Sequence, residues 1–254
     1  MLSPSVTPEI RYLLQLADNP MILGQRLGEW CGHGPVLEQD IALTNTALDL
    51  IGQARLLYQL IAGYDEVNAD EDKLSMLRYE HEYYNLLLVE QPNKDFGYTM
   101  ARQFFYDAFN LLQYEELLQH ADAAVKSIAV KTLKEIKYHY RYSSEWMVRL
   151  GDGTEKSHQM INAAVNDLWR YTGEMFTPAG YEVELIARGY VPDIQLLHAP
   201  WLDRIQNVFN EAGLQVPDSG NMLTGGKQGR HTEHMGYILT ELQYMQRTYP
   251  DMQW

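Results

Sequence analysis

Hydrophobic residues recur along most of the chain at the three- and four-residue spacings of an α-helix. The clearest example lies in residues 36–61. Its main row consists of Leu43, Ala47, Leu50, Ala54, Leu57 and Ile61. Ile41, Leu48 and Ile51 form a neighbouring row. The pattern predicts a long helix that is apolar, and buried, on a broad face.

An earlier helix is predicted from about residue 8 to residue 31. Thr7, Pro8 and Glu9 have the residue types of an N-cap, a first helical position and an acidic first turn. Asn19 and Pro20 indicate either a second helix start or a kink, because proline cannot donate the helical hydrogen bond. We therefore expect this helix to be interrupted near Pro20.

The same periodicity predicts further helices near residues 74–91, 95–120, 123–150, 155–175, 193–211 and 232–248. Residues 177–195 contain two prolines and two glycines, which favours a connection with at most a short helix. Alternating patterns flanked by hairpin turns are absent from the sequence, so the predicted fold class is all-α. Long helices with short connections favour one ferritin-like bundle domain over residues 1–254, with additional C-terminal helices.

Charge and cysteine content narrow the range of partners. The chain has 254 residues and a formal net charge of −14, which opposes binding to nucleic-acid phosphates and anionic lipid. Its single cysteine, Cys31, cannot form an internal disulfide. No stretch has the roughly 20 apolar residues that span a bilayer, and the N-terminal residues do not resemble a secretion signal. These features predict a cytoplasmic protein with protein partners.

A carboxylate-bridged di-iron site in a helical bundle requires a Glu-x-x-His pair on each of two helices. The only such pair is Glu155 and His158, directly after a glycine-rich break, where an acidic residue favours the helix N-terminus instead. Glu135 and His139 are four residues apart, which is the wrong spacing for this motif. The sequence therefore predicts no metal ligands and no catalytic residues.

Several polar residues nevertheless fall on the predicted bundle helices. We predict that they form a vestigial polar cluster in the bundle core, composed of Glu29, Asp49, Asp107, Glu135 and His139. Buried carboxylates need hydrogen-bonding or charged partners, and the arginines at 55, 102 and 141 are the candidate cations. The alternative is that the same five residues bind iron in a self-sufficient di-iron oxygenase or oxidase.

A glycine-rich loop at residues 224–231 precedes the last predicted helix. Lys227 and Arg230 together with the glycines could bind an anion at the helix N-terminus. A flexible interface loop is the competing interpretation, since no companion basic patch is evident in the sequence. His231 and His234 are interpreted as contact residues within this loop.

Ordered motifs along the chain resemble those of the PaaC family. They are LGEWCGH at 27–33, LDLIGQAR at 48–55, NLLLVEQP at 85–92, TMARQ at 99–103, EIKYH at 135–139, RLGDGT at 149–154, TGGK at 224–227 and HTEH at 231–234. The likeness extends from about residue 10 to Trp254. Each motif is weak alone, but their order and spacing together are specific.

The resemblance implies a ferritin-like, non-catalytic subunit of the multicomponent phenylacetyl-CoA epoxidase of aerobic phenylacetate degradation. In that family the di-iron centre belongs to a homologous catalytic subunit, so this chain is expected to hold no cofactor and to bind that subunit. Self-association is also expected. A third interpretation, a module that binds the CoA phosphates through Lys227 and Arg230, remains open.

Overall fold

The structure is a computed structural model that describes residues 6–218, 220–250 and 252. Within these residues the secondary structure is helical, and no strand is present. The α-helices are α1 (Pro8–Gly28), α2 (Leu37–Ala62), α3 (Glu71–Met76), α4 (Leu87–Glu90), α5 (Phe96–Leu117), α6 (Ala123–Gly151), α7 (Glu155–Leu168), α8 (Gly180–Ala187), α9 (His198–Ala212) and α10 (Glu233–Thr248). Short 3-10 helices lie at Glu80–Glu82, Trp169–Tyr171, Gly173–Phe176, Ile194–Leu197 and Gly226–Gln228. The predicted all-α fold class, a helical bundle of the ferritin-like kind, is confirmed.

The helices are distributed over two compact units. The first unit contains α1 to α4 and α10, and the second contains α5 to α9. Each unit is built on one pair of long helices, α1 with α2 and α5 with α6. The prediction of one domain over the whole chain stays a prediction.

In the first unit, α1 and α2 pack antiparallel. Asp18 of α1 contacts Tyr58 of α2, whereas Gly24, later in α1, lies against Ala47, earlier in α2. A Cβ atom at Gly24 would lie 3.2 Å from the carbonyl oxygen of Ala47, so the helices approach closely there. The main apolar row of α2 is buried as predicted.

The neighbouring row of α2 is not buried, contrary to expectation. Ile41 and Leu48 are 51% and 62% exposed, and Ile51 is also exposed. A helix that packs against α1 on one side buries only part of its circumference. The broad apolar face predicted from the sequence therefore divides into a buried row and an exposed row.

A buried ion pair between Asp18 and Arg78 is the main polar contact of the first unit. Asp18 accepts hydrogen bonds from the Arg78 guanidinium, including one of 3.0 Å from Nη1, from the Tyr58 hydroxyl at 2.7 Å and from the Tyr84 backbone N–H at 2.8 Å. Burial and the Asp18 carboxylate raise the pKa of Tyr58, so this phenol stays protonated and donates. The guanidinium also lies 4.0 Å from the ring centre of Tyr83.

The prediction of a helix over residues 74–91 is wrong, and this ion pair gives the physical reason. Side chains of α1 accept hydrogen bonds from backbone N–H groups that a helix would use internally: Asp18 from Tyr84, and Asn19 from Leu86, both at 2.8 Å. The segment consequently forms α3, a 3-10 turn and α4, separated by extended residues. Helical periodicity in the sequence does not reveal such competing acceptors.

The expected interruption at Pro20 is also not found, since α1 runs through it without a break. Nearly every position between Ile10 and Leu27 is buried, so tertiary packing holds the helix together despite the missing N–H group. Asn19, whose side-chain amide donates to the carbonyl of Gln15 at 3.0 Å, supplies a local hydrogen bond beside the proline.

In the second unit, α5 and α6 also run antiparallel. Phe96 at the start of α5 lies against Trp146 near the end of α6, with ring centres 4.8 Å apart, and Asp107 further along α5 bonds Ser143. The apolar core contains an aromatic cluster formed by Phe104, Phe105, Trp169, Trp201 and Phe209. The Trp201 indole N–H is satisfied by the carbonyl of Phe105 at 3.1 Å. The predicted connection at 177–195 contains one short helix, α8, as expected.

Among the described residues, no helix has both the length and the apolar character required to cross a membrane.

Removing one partner of the buried Asp18–Arg78 pair should strongly destabilise the first unit. Replacing Arg78 with Met would leave the buried Asp18 carboxylate without its cation, and we expect a loss of about 3–5 kcal/mol in the free energy of unfolding. The matched control is Arg55→Met, because Arg55 is 67% exposed and pairs with Glu71 at the surface. Its loss should be about 1 kcal/mol or less. Urea denaturation measures both values, and equal small effects would contradict the expectation.

Candidate functional site

The predicted polar cluster contains one fully buried carboxylate, Asp107 on α5. The side-chain amide of Gln103, one turn earlier, donates to its Oδ1 at 2.7 Å. The hydroxyl of Ser143 on α6 donates to its Oδ2 at 2.8 Å. Both carboxylate oxygens therefore have hydrogen bonds from uncharged groups.

Burial has a large effect on the protonation of Asp107. Removal from water raises the pKa of its carboxyl group to about 6, while the charge of His139 and the hydrogen bonds from Ser143 and Gln103 act in the opposite direction. His139 is buried on α6, one turn before Ser143. The structure therefore brings Asp107 and His139 together.

Glu135 lies on the same helix as His139 and is half-buried. Burial, reinforced by the negative charge of Glu135, raises the pKa of the Tyr114 phenol on α5. Asp107, Glu135 and His139 thus belong to a polar region between α5 and α6 of the second unit. Gln103 and Ser143 are the functional neighbours that the sequence analysis missed, because their types carry no metal-binding signal.

The other two predicted cluster residues lie in the first unit. Glu29 is the C-cap of α1, is exposed, and pairs with Arg26 at 2.7 Å. The prediction that Glu29 belongs to the buried core is therefore wrong, because α1 ends one residue before it. Asp49 lies half-buried on α2. The fully buried carboxylate of this helix pair is Asp18, which the sequence analysis did not single out.

The three arginines that were candidate partners of the polar cluster contact other groups. Arg55 pairs with Glu71 at 2.9 Å, and Arg102 donates to the carbonyl of Gln91 and, at 2.8 Å, to Asn93. Arg141 lies over the ring of Tyr138. The hydrogen-bond donors to Asp107 are thus the amide and the hydroxyl described above.

The only Glu-x-x-His sequence has the structural role that its position indicated. Thr154 is the N-cap of α7, and Glu155 lies in the first turn of that helix. His158 bonds through Nδ1 to the carbonyl oxygen of Gly151 at 2.7 Å. The interpretation of this pair as a helix start is confirmed.

These residues do not fit a di-iron centre. Asp107 already accepts two side-chain hydrogen bonds, and Glu135 and His139 on α6 are four residues apart instead of the three that the motif requires. Within the part of the chain that the structure describes, no three His, Cys, Asp or Glu side chains are grouped as a metal site requires. The donor set is that of a hydrogen-bonded structural carboxylate.

The glycine-rich loop is fixed to residues 81–90 of the first unit by a second buried carboxylate, Glu90. His231 approaches Glu90 Oε1 through Nδ1 at 2.6 Å and the carbonyl oxygen of Tyr83 through Nε2 at 3.0 Å. Thr232 donates to Glu90 Oε2 from its backbone N–H at 2.9 Å and from its hydroxyl at 2.6 Å. Because both ring nitrogens of His231 face acceptors, the imidazolium form satisfies both contacts.

Two glycines allow this loop to approach so closely. A Cβ atom at Gly226 would lie 2.2 Å from the carbonyl oxygen of Asn85, and one at Gly229 would lie 2.2 Å from that of His81. Gly229 also has a φ of +74°, which other residues rarely adopt. The glycines therefore serve backbone packing rather than loop flexibility.

The loop does not present its two cations on one surface. Lys227 is buried, whereas Arg230 is exposed and bonds Gln228 at 2.7 Å. His231 is committed to Glu90, and His234 is half-buried at the start of α10. An anion would thus meet Arg230 but not Lys227 in this conformation. The contacts with Glu90 and Tyr83 hold the loop within the first unit, in contrast to the flexible interface loop considered from the sequence.

Comparison with known proteins gives the family. The family model described as phenylacetic acid catabolic protein matches residues 1–254. The chain belongs to this phenylacetic acid catabolic protein family. A family member from Escherichia coli (strain K12), named as one of the subunits of 1,2-phenylacetyl-CoA epoxidase, is 45% identical over 243 residues. The aligned region covers 96% of this chain and 98% of that protein. The family resemblance inferred from the sequence motifs is confirmed.

The protonation of Asp107 gives a test of its structural role in this family member. A pKa raised from 3.8 to about 6 disfavours the folded state by roughly 3 kcal/mol at neutral pH, because the buried carboxylate is charged there. In Asp107→Asn, the amide oxygen can accept from Gln103. The amide N–H can donate to Ser143, whose hydroxyl can turn to the His139 carbonyl oxygen 3.0 Å away. We expect this variant to unfold at pH 7 with a free energy equal to or above that of the wild type.

The matched variant Asp107→Ala removes the acceptor of the buried Gln103 amide and leaves a cavity, so we expect it to be about 2–4 kcal/mol less stable than Asp107→Asn. Urea denaturation between pH 4 and pH 7 separates the two cases. The stability advantage of Asp107→Asn over the wild type should shrink as the pH falls through 6. A loss of several kcal/mol at pH 7 in Asp107→Asn would show that the negative charge itself is required.

The Glu90–His231 pair predicts a second pH dependence, of defined sign. Burial lowers the pKa of His231, but the hydrogen bond and charge of Glu90 and the Tyr83 carbonyl outweigh it, so the pKa is raised above the ordinary value. The stabilisation is complete below about pH 6.5 and is lost as the pH rises through the raised pKa. The difference in unfolding free energy between the wild type and His231→Gln should be about 2–3 kcal/mol at pH 6 and smaller at pH 9. His234→Gln is the control, and a difference that is constant with pH would contradict the imidazolium.

Proposed function

We propose that this chain is a non-catalytic, structural subunit of a phenylacetyl-CoA epoxidase complex in phenylacetate catabolism. The chemistry of Asp107 carries the non-catalytic part of the proposal, since neutral donors occupy both oxygens of this buried carboxylate. The subunit role is supported by the identity of 45%, over nearly the full length of both chains, with the Escherichia coli protein named as an epoxidase subunit. We further propose that the di-iron cofactor belongs to a homologous catalytic partner and that the complex is cytoplasmic.

We propose that the catalytic partner binds a stripe of exposed aliphatic side chains on α2. Leu37, Ile41 and Leu48 lie on one side of the helix, and all three are more than half exposed. Their spacings of four and seven residues place them along one stripe. Aliphatic side chains aligned in this way lose unfavourable contact with water when a second helix covers them.

Position along α2 also supports this assignment. Gly52 continues the stripe after Leu48, and a Cβ atom there would meet nothing within 4 Å. A helix from a partner can approach closely at such a small residue. Permanent interfaces commonly bury more than about 2,000 Å², so this stripe would form the centre of a larger contact.

The experiment combines iron analysis with reconstitution. The purified chain, after anaerobic iron loading, should hold no stoichiometric iron. Oxygen-dependent turnover by the catalytic partner should require the wild-type chain and fall at least tenfold with Ile41→Glu/Leu48→Glu, because two charges would be buried at the interface. Light scattering follows the complex itself.

The matched control is Leu196→Glu, which places the same charge at a 73% exposed leucine in the second unit. It should leave both turnover and complex formation unchanged. Two tightly held irons per chain would instead support the self-sufficient di-iron oxygenase. Full turnover by the partner in the absence of this chain would contradict the structural role.

A further inference from the structure

The outer face of α6 carries a concentration of positive charge in an otherwise acidic protein. Six of the 20 Lys and Arg residues lie on this helix, against two of the 34 Asp and Glu residues, so the helix has a net charge of +4. All six cations are exposed: Lys126, Lys131, Lys134, Lys137, Arg141 and Arg149. At about 100° per residue they fall within a sector of roughly 140°. We call this surface the basic face of α6.

Aromatic side chains accompany these cations. Tyr138 is exposed, stacks on Tyr142 with ring centres 6.3 Å apart, and supports the guanidinium of Arg141 at 5.6 Å. Arg149 lies 5.3 Å from the ring centre of Trp146. Tyr, Trp and Arg are the residues that most often anchor protein–protein interfaces, because they combine large contact areas with directional polar groups.

The geometry of the face identifies the class of its ligand. Lys126 and Arg149 are separated by about 35 Å along the helix axis, which is too far for one small anion to contact both ends. Nucleic acid and anionic membranes are opposed by the charge of −14 on the whole chain, which acts over distances comparable to the screening length. A protein surface rich in carboxylates fits both the length and the sign.

This chain itself presents such a surface. Residues 65–72 contain five acidic residues in eight positions. Asp70 is the N-cap of α3 and Glu71 pairs with Arg55, whereas Asp65, Glu66 and Asp72 are exposed. We call residues 65–72 the acidic segment.

We propose that the basic face of α6 binds the acidic segment of a second copy of this chain. The contact is heterologous, since different surfaces of the two copies meet. The proposal does not depend on the assignment to an epoxidase, because both surfaces belong to this chain.

The test begins with the full-length protein alone. Sedimentation velocity and light scattering in 50 mM NaCl should show self-association that weakens at least tenfold in 500 mM NaCl, because salt screens exposed ion pairs. Lys131→Glu/Lys134→Glu/Lys137→Glu should abolish association in 50 mM NaCl. A chain that is monomeric in 50 mM NaCl, or whose association is independent of salt, would overturn the proposal.

A control variant separates local from global charge. Lys156→Glu/Arg170→Glu/Arg188→Glu reverses three exposed cations of the same unit outside α6 and changes the net charge equally. It should still associate. Equal loss in both variants would overturn the proposal, because general repulsion would then explain the effect. The neutral variant Lys131→Gln/Lys134→Gln/Lys137→Gln, which strains folding less, should also lose association.

Charge exchange identifies the acidic segment. Asp65→Lys/Glu66→Lys/Asp72→Lys should fail to associate alone but should bind the α6 charge-reversal variant when the two are mixed. Failure of the mixture, with both variants folded by circular dichroism, would overturn the pairing. Binding of phosphatidylglycerol vesicles or a single-stranded oligonucleotide by the wild type in 150 mM NaCl, lost on charge reversal and without self-association, would assign the face to those ligands instead.

Discussion

Burial of the Asp18 carboxylate is the constraint on which the first unit depends. A charge removed from water is stable only when other groups surround it, and here those groups come from three separate parts of the chain. Tyr58 belongs to α2, Arg78 follows α3, and the N–H of Tyr84 belongs to the segment before α4. The carboxylate therefore determines the path of residues 74–86 as well as the pairing of α1 with α2. The loss of a continuous helix there is a consequence of satisfying one charge.

Asp107 and Glu90 are also buried carboxylates that are surrounded by hydrogen-bonding groups. Their partners differ, and the partners influence the protonation state of each site. Glu90 faces His231, and both ring nitrogens of His231 lie against acceptors, which favours the charged imidazolium. This contact fixes the glycine-rich loop. Asp107 receives neutral donors, so burial dominates and its pKa rises to about 6. Both of its oxygens accept hydrogen bonds, one from the Gln103 amide and one from the Ser143 hydroxyl, which is the arrangement of a structural, hydrogen-bonded carboxylate.

Long helices with a clear helical periodicity were predictable from the sequence, and α2, α5, α6 and α10 lie within a few residues of their expected bounds. Predictions failed where a long-range polar contact competed with periodicity, as at Tyr84 and Leu86, or where packing compensated for a residue that weakens a helix, as at Pro20. Asp107 and His139 were grouped with three other polar residues because all five fall on predicted bundle helices, but the sequence did not indicate which of them are neighbours. Glu29 was misplaced because its burial depended on a helix end that periodicity alone locates only to within several residues.

The net charge of the whole chain does not describe the charge of each helix surface. The chain has a net charge of −14, and no basic patch was recognised in its sequence, yet the register of α6 places six cations on one exposed side. Asp18, Glu90 and Asp107 are each buried and hydrogen-bonded inside their own unit. What the chain offers to other molecules is therefore carried by its surfaces, an aliphatic stripe on α2 and a basic face on α6. The two differ in physical character, since one excludes water and the other responds to salt, and two different partners can be bound without competing for the same residues.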